Sequence, residues 1–380
     1  MLAGTGAVAD VAVVGGGVIG LSVAYQAARR GARVVLFEAE EVGSGASGAL
    51  AGMLSGQGEA EGPGPLRELL LRGQEHHKTL GPELYEGTGL DPGYAWNGAM
   101  RTATDETSAG VLAGEHSLHQ ERNLPSELLG GDEARELEPA LSGKVVAGLH
   151  LPGDGNVNPP QLARALVQAT IKHGAEVREF DRASVLLTRG DRVTGVRTAR
   201  GDVAAGTVVV AGGPTSGLLS EGLGVRLPLY PVKGQLLETR LTPIPIRTNV
   251  WNHGTFYLVP KRDGRVIIGA TEEPNVWDRR PTLGGVAELS RDALALVPKL
   301  ADALFLRAWG GLRPTTPTGA PMLGPISGWE GILLATGHHR NGVLLCGITG
   351  EILSALAVGE PSPVDLSPFL HQNLIGEAVR

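Results

Sequence analysis

The feature that most constrains this chain is a run of glycines between an apolar strand and a helix. Asp10 to Val14 reads as a short buried strand, GGGVIG follows at Gly15 to Gly20, and Val18 to Arg30 reads as a helix stopped by Gly31. Ala32 to Phe37 reads as a second strand ending at Glu38, 18 residues beyond Gly20. Each position in this βαβ unit has a physical task. Gly15 permits the tight turn, Gly17 lets backbone approach a pyrophosphate, and Gly20 lets helix and strand pack closely. The helix start offers amide donors and a positive dipole end to phosphates. Glu38 can accept from ribose hydroxyls, and its charge repels a 2′-phosphate. The unit specifies dinucleotide binding but does not distinguish NAD from FAD.

The uncharged stretch from Val11 to Ala28 is long enough to span a membrane. Its central glycines, with β-branched residues before and alanines after, favour strand, turn and helix instead. Further along, residues 43–65 are rich in Gly, Ala and Ser and read by composition as a linker. A helix is expected over Leu66 to Leu80 and a strand over Val145 to Leu151. Asn158 then caps a helix that begins at Pro159 and ends near Lys172. A strand is expected over Ala175 to Phe180. Short runs broken by Gly190-Asp191 and Gly201-Asp202 follow as a meander, ending in the apolar Thr207 to Ala211. The clearest hairpin pairs Phe256 to Pro260 with Arg265 to Gly269 across Asp263-Gly264. Helices near Val286 to Leu296 and Val343 to Val358, with a strand at Gly331 to Thr336, close the chain. Strand–helix alternation at both ends around a strand-rich middle gives an α/β class. It implies a Rossmann-like domain (1–85, 146–222 and 308–380) interrupted by an α+β domain with a mostly antiparallel sheet (86–145 and 223–307).

Composition removes several function classes. The net charge of −7, with no basic block, argues against a nucleic-acid partner. Cys346 is the single cysteine, so no intramolecular disulfide and no cysteine-based metal cluster can form. His76 and His77 are adjacent on a helix and point apart, so no metal site is expected from them. The start MLAGTGAVAD lacks the positive region of a signal peptide, and the expected compartment is the reducing cytoplasm, with no membrane partner.

Beyond the fingerprint, five segments recur in a fixed order: SGALAGML (Ser47 to Leu54), TVVVAGG (Thr207 to Gly213), YLVPKRDGRVIIGAT (Tyr257 to Thr271), WGGLRPTTPTGAP (Trp309 to Pro321) and GHHRNGVLL (Gly337 to Leu345). Together they span nearly the whole chain. In this order they resemble the D-amino acid oxidase family of FAD-dependent oxidoreductases, and within it most closely the members that oxidise glycine.

The resemblance implies FAD as cofactor. By position, Gly15, Gly17, Val18, Ile19, Gly20, Glu38 and Ala39 hold its ADP half, and Ala183 meets the adenine. Ala46, Ser47, Ala51, Gly52 and Met53 match a second FAD-contacting loop. His338, His339, Arg340, Asn341, Gly342, Val343 and Leu344 match the return loop facing the flavin. Arg313 matches the arginine that grips the substrate carboxylate, a suitable task for a guanidinium fork; the bland reading is an ion pair with Glu272 or Glu273. Tyr257 and Arg340 match further substrate-side positions.

The implied reaction is oxidative deamination of glycine, sarcosine or small D-amino acids, with molecular oxygen as acceptor and hydrogen peroxide, ammonia and a 2-oxo acid as products. A supply of imine for the thiazole of thiamine goes with it, as does a homo-oligomeric state. No Glu, His or Ser constellation offers a strong general base, which suits direct hydride transfer from a neutral amine. Sarcosine-oxidising relatives attach their flavin through a cysteine after the Arg313 position. Pro314-Thr315-Thr316 stand there, so non-covalent FAD is expected. A D-amino acid dehydrogenase with another electron acceptor is the nearest alternative, and a non-catalytic FAD-binding module the remote one. Glu272 and Thr255 depart from the family's methionine and histidine and bear on which substrate is taken.

Overall fold

The computed structural model describes residues 8–59, 62–252, 254 and 256–378. Thr255 lies outside the described residues. Two sheets organise the chain. The first runs in the order Met322–Pro325, Ile332–Thr336, Gly201–Val210, Ala9–Val14, Val34–Phe37, Glu176–Arg178. All neighbours are parallel except the first pair, and the Val185–Arg189 and Arg192–Thr198 meander is attached to the Gly201–Val210 strand. Ala9–Val14 has apolar neighbours on both faces. Val11 and Val13 enter one core, Ala12 and Val14 the other. That is why the strand reads as a continuous apolar run rather than an alternating one.

The Val18–Arg29 helix packs on this sheet because Gly20 has no Cβ; one placed there would stand 1.9 Å from the Gly15 carbonyl oxygen. Gly15 itself sits at φ +111°, where side chains are strained. The Gly342–Ala357 helix lies beside it, with Leu344, Leu345, Cys346 and Leu353 in the same core. Among the described residues no helix is long and apolar enough to cross a membrane.

The second sheet has nine strands and is antiparallel apart from the Asn249–Asn252/Ala99–Ala103 pair. The strand Ala147–Leu151 and residues 308–315 of the strand Leu304–Thr315 fall in ranges that the sequence reading gave to the nucleotide-binding half. Ala147–Leu151 pairs with Ala99–Ala103, and Leu304–Thr315 pairs along Tyr230–Arg240. Periodicity reveals a strand but not its partner, so these boundaries were not legible.

Two local expectations also change. The Gly/Ala/Ser-rich stretch is not a linker: it forms a 3-10 turn at Ala46–Ala49 and a short strand at Met53–Leu54 paired with Gly155–Asn156. The helix expected over Leu66 to Leu80 runs over Pro65–Thr88, through Pro82. Proline removes one helical hydrogen bond, but Leu80 and Leu84 are buried on either side of it and hold the helix to the core. The helix ends at Gly89, in the left-handed conformation.

Replacing Gly20 with Ala forces a carbon into the Gly15 carbonyl, and is expected to cost about 3 kcal/mol of stability, read as a lower urea midpoint.

Candidate active site

The glycine turn, the Ala46–Ala49 turn and the end of the second parallel strand enclose a cavity of about 530 Å³. Of the residues expected to hold cofactor, Gly15, Gly17, Val18, Ile19, Glu38, Ala39, Ala46, Ser47, Ala183, His338, His339 and Gly342 line it. Gly20 packs behind the turn. Leu344 turns its side chain into the core and lines neither cavity. Glu38 is held in place by the amides of Gly16 (2.6 Å) and Glu40 (2.9 Å), and retains acceptor capacity toward the cavity. Ser47 Oγ accepts from the Val18 amide at 2.9 Å, so the second loop caps the first helix across 29 residues. A Cβ at Gly17 would come within 3.0 Å of that oxygen, and the cleared space is what a phosphate at the helix start requires.

A second cavity, about 740 Å³, adjoins the first, and Ala49, Leu50, Arg313 and His339 line both. Ala51, Gly52, Met53, Arg340, Asn341 and Val343 line this second space rather than the nucleotide cavity. Tyr257 lines it as well. Arg313 and Tyr257 reach it because two glycines lie beneath them. A Cβ at Gly234 would stand 2.4 Å from Arg313 Nη2, and one at Gly269 would stand 2.7 Å from the Tyr257 hydroxyl.

Arg313 does not form the ion pair that the bland reading allowed. Glu273 pairs with Lys233 (3.3 Å) and accepts from Gln235, while Glu272 lies 3.6 Å from His339 Nε2. Arg313 donates from Nη1 to the Thr271 carbonyl at 3.1 Å, which aims the guanidinium while leaving other donors for the cavity. Burial raises the Tyr257 pKa, with Arg313 partly opposing, so the phenol keeps its proton and can donate.

Two residues that the sequence did not single out, Glu59 and Lys261, complete the site together with an unusual backbone at His339. Glu59, nearly buried, lies 2.5 Å from Arg340 Nε and so balances the charge of that arginine. His339 adopts φ +48°, rare for a residue with a side chain, where the cavities join. Burial, with Arg313 and Arg340 nearby, brings its pKa down to about 4. Lys261 is buried, and its ammonium donates to the Ala51 carbonyl (2.6 Å), Asn156 Oδ1 (2.9 Å) and the Val157 carbonyl (2.9 Å). It thereby fastens the Tyr257–Pro260 strand to the second loop. A lone lysine after a strand gives no signal of this in sequence.

His76 and His77 hold no metal-like arrangement. His77 accepts from Tyr94 and donates to the Val343 carbonyl, and His76 faces Glu351 from the last long helix at 3.4 Å, a carboxylate partner that the sequence did not reveal.

The pattern of FAD-dependent oxidoreductases matches residues 10–356. The chain belongs to that family. FAD is accordingly the cofactor, and the first cavity fits it. The chain is 39% identical to glycine oxidase of Geobacillus kaustophilus over 97% of its own length and 98% of that protein. The crystal structure of glycine oxidase from that organism matches with a TM-score of 0.92 at 38% identity, covering 96% of this chain and 98% of the other. The bifunctional protein ThiO/ThiG of Synechocystis sp. is 32% identical over 95% of this chain and 53% of that protein.

His77, His119 and His339 have pKa values near 4 and His338 near 3, in each case chiefly through burial. Unfolding frees them to take protons near 6.5, so the unfolded chain binds more protons below that pH. Asp154, raised to about 7 by burial, acts in the opposite direction. Stability should therefore fall as pH drops from 6.5 toward 4, with about two to three protons taken up on unfolding near pH 5. Thermal midpoints measured across that range check this.

Proposed function

We propose that this enzyme oxidises the amine of a small amino acid, glycine, sarcosine or a small D-amino acid, to the imine. Hydrolysis of the imine gives the 2-oxo acid and ammonia, or methylamine from sarcosine, and oxygen is reduced to hydrogen peroxide. The observation that carries the proposal is Arg313, which lines both cavities and stands on the same sheet face as Tyr257. Arg313 would hold the substrate carboxylate through its remaining guanidinium donors, with Tyr257 adding a hydroxyl donor. Anchored there, the α-carbon is directed toward the first cavity and the amine toward the second. Bound along the first cavity, FAD would supply the two-electron acceptor for the α-C–H bond, with oxygen as final acceptor.

His339 stays neutral and takes no part as a charged acid. A base is not required for a substrate whose amine is already neutral. The second loop and the start of the Gly342–Ala357 helix close the junction. Amide groups at that helix start favour negative charge beside it. Pro314-Thr315-Thr316 offer no thiol, which supports non-covalent binding of FAD. The glycine oxidase relatives and the ThiO/ThiG relative support a place in supplying the imine for thiamine's thiazole.

Anaerobic mixing with glycine, sarcosine, D-alanine and D-proline tests the reading. The flavin band should bleach with at least one of them and recover with peroxide release when air is admitted. A band that stays yellow with all four overturns the proposal. Recovery that needs a quinone would make the enzyme a dehydrogenase.

Arg313→Ala should raise KM for the amino acid about 100-fold, the scale of removing one partner of a buried charged pair. Gly269→Ala, whose methyl would crowd the Tyr257 ring and hydroxyl and move the phenol while leaving it chemically intact, should raise KM about ten-fold while the bound flavin spectrum is kept.

A further inference from the structure

The second cavity holds far more than glycine fills, and the excess has a chemical character. Register across the second sheet sets Arg101 beside Trp251, Trp251 beside Tyr257, and Tyr257 beside Gly269. Residues paired in this way share one face of a sheet. The same row continues through Leu236 to Trp309, and Arg313 lies four residues along that strand, again on the same face. Tyr257, Trp251 and Arg101 therefore form a line of donors leading away from the Arg313 anchor, and all three line the cavity.

Two of these donors are unused. Trp251 is 6% exposed, and its Nε1 has no hydrogen-bond partner among the described residues; the same holds for Arg101 Nε. Arg101 is otherwise engaged, bonded through Nη1 to Glu115 with its guanidinium 5.6 Å from the Trp251 ring. Buried donors without acceptors are costly, and natural proteins keep few of them away from ligand sites. The charge agrees. Among the described residues, the cavity walls carry four arginines (67, 101, 313, 340) against three carboxylates (Glu59, Glu115, Glu272), with His339 neutral. This excess of positive charge is complementary to a substrate with a second carboxylate.

Building on the amino acid oxidase reading, we infer that Trp251 and Arg101 form a second anion subsite, which takes the distal carboxylate of an amino dicarboxylate whose α-carboxylate is held by Arg313. Amino acids carrying an acidic side chain or an acidic N-substituent are then preferred over glycine.

The test compares D-glutamate with D-glutamine, and N-(carboxymethyl)glycine with N-ethylglycine, by the rate and concentration dependence of flavin reduction in the holoenzyme. The acidic member of each pair should show the lower KM. Trp251→Phe, which keeps the ring and removes Nε1–H, should raise KM for the acidic members about ten-fold and leave glycine within about two-fold. Arg101→Lys, which keeps the charge and removes Nε, should act in the same direction. Equal KM values within each pair, or a Trp251→Phe effect equal for glycine and the diacids, overturns the subsite while leaving the oxidase reading intact. If no amine reduces the flavin, the oxidase reading fails and calorimetry with oxydiacetate against glycolate decides the subsite. Tighter oxydiacetate binding that Trp251→Phe abolishes supports the subsite, and indifference to the variant overturns it.

Discussion

The Lys261 ammonium joins the two halves of the site. It is buried with three oxygens around it, two of them backbone carbonyls: Ala51 from the loop that walls the second cavity, and Val157 from the segment hydrogen-bonded to that loop. No carboxylate is among these hydrogen-bond partners, and burial, with the Arg265 charge adding to it and Asp263 partly opposing, brings its pKa down to about 7. Asn156, one of the three, also donates to Asn97 and Asn249. A network of this kind is satisfied only when every member is in place. The second loop, the short Gly155–Asn156 strand and the substrate sheet are thus fixed relative to one another by hydrogen bonds that have no apolar substitute.

That joint explains how a site can be assembled from residues so distant in sequence. Ser47, Tyr257, Arg313 and His339 come from four separate segments, and each is placed by backbone geometry that its neighbours enforce. Arg313 is set by strand register and by the space above Gly234. Tyr257 is set by the same register one strand pair away and by the space above Gly269. Neither side chain could occupy its position if the strand beneath carried a Cβ. The two anchors depend on absences as much as on contacts.

The same contrast separates what could be read in the sequence from what could not. The Gly15–Gly20 turn, the Asn158 cap and the Asp263-Gly264 hairpin were legible, because each is a local rule linking residue type to backbone shape. Helix boundaries were less so. The helix beginning at Pro65 outlasts Pro82 because of tertiary burial, which no local rule registers. Sheet membership of Ala147–Leu151 and Leu304–Thr315 was invisible, since pairing is non-local. Within the site, resemblance pointed to Arg313, Tyr257 and Arg340, whereas Glu59, Lys261, Trp251 and Arg101 gave no signal. A solitary charge or aromatic acquires meaning only when the fold brings a partner to it or leaves it without one.

The chain's one thiol carries a last consequence. Cys346 is fully buried in the helix behind the cavities, and burial pushes it up to about 12. Peroxide attacks thiolates, so this sulfur is almost unreactive at neutral pH. Under the proposed reaction, peroxide formed beside this core meets no reactive thiol. Among the described residues the sulfur that reaches a cavity is that of Met53, which lines the second one, while Met100 and Met322 are fully buried. Under that reaction, ageing by the product would begin as a thioether oxidation at the wall of the second cavity.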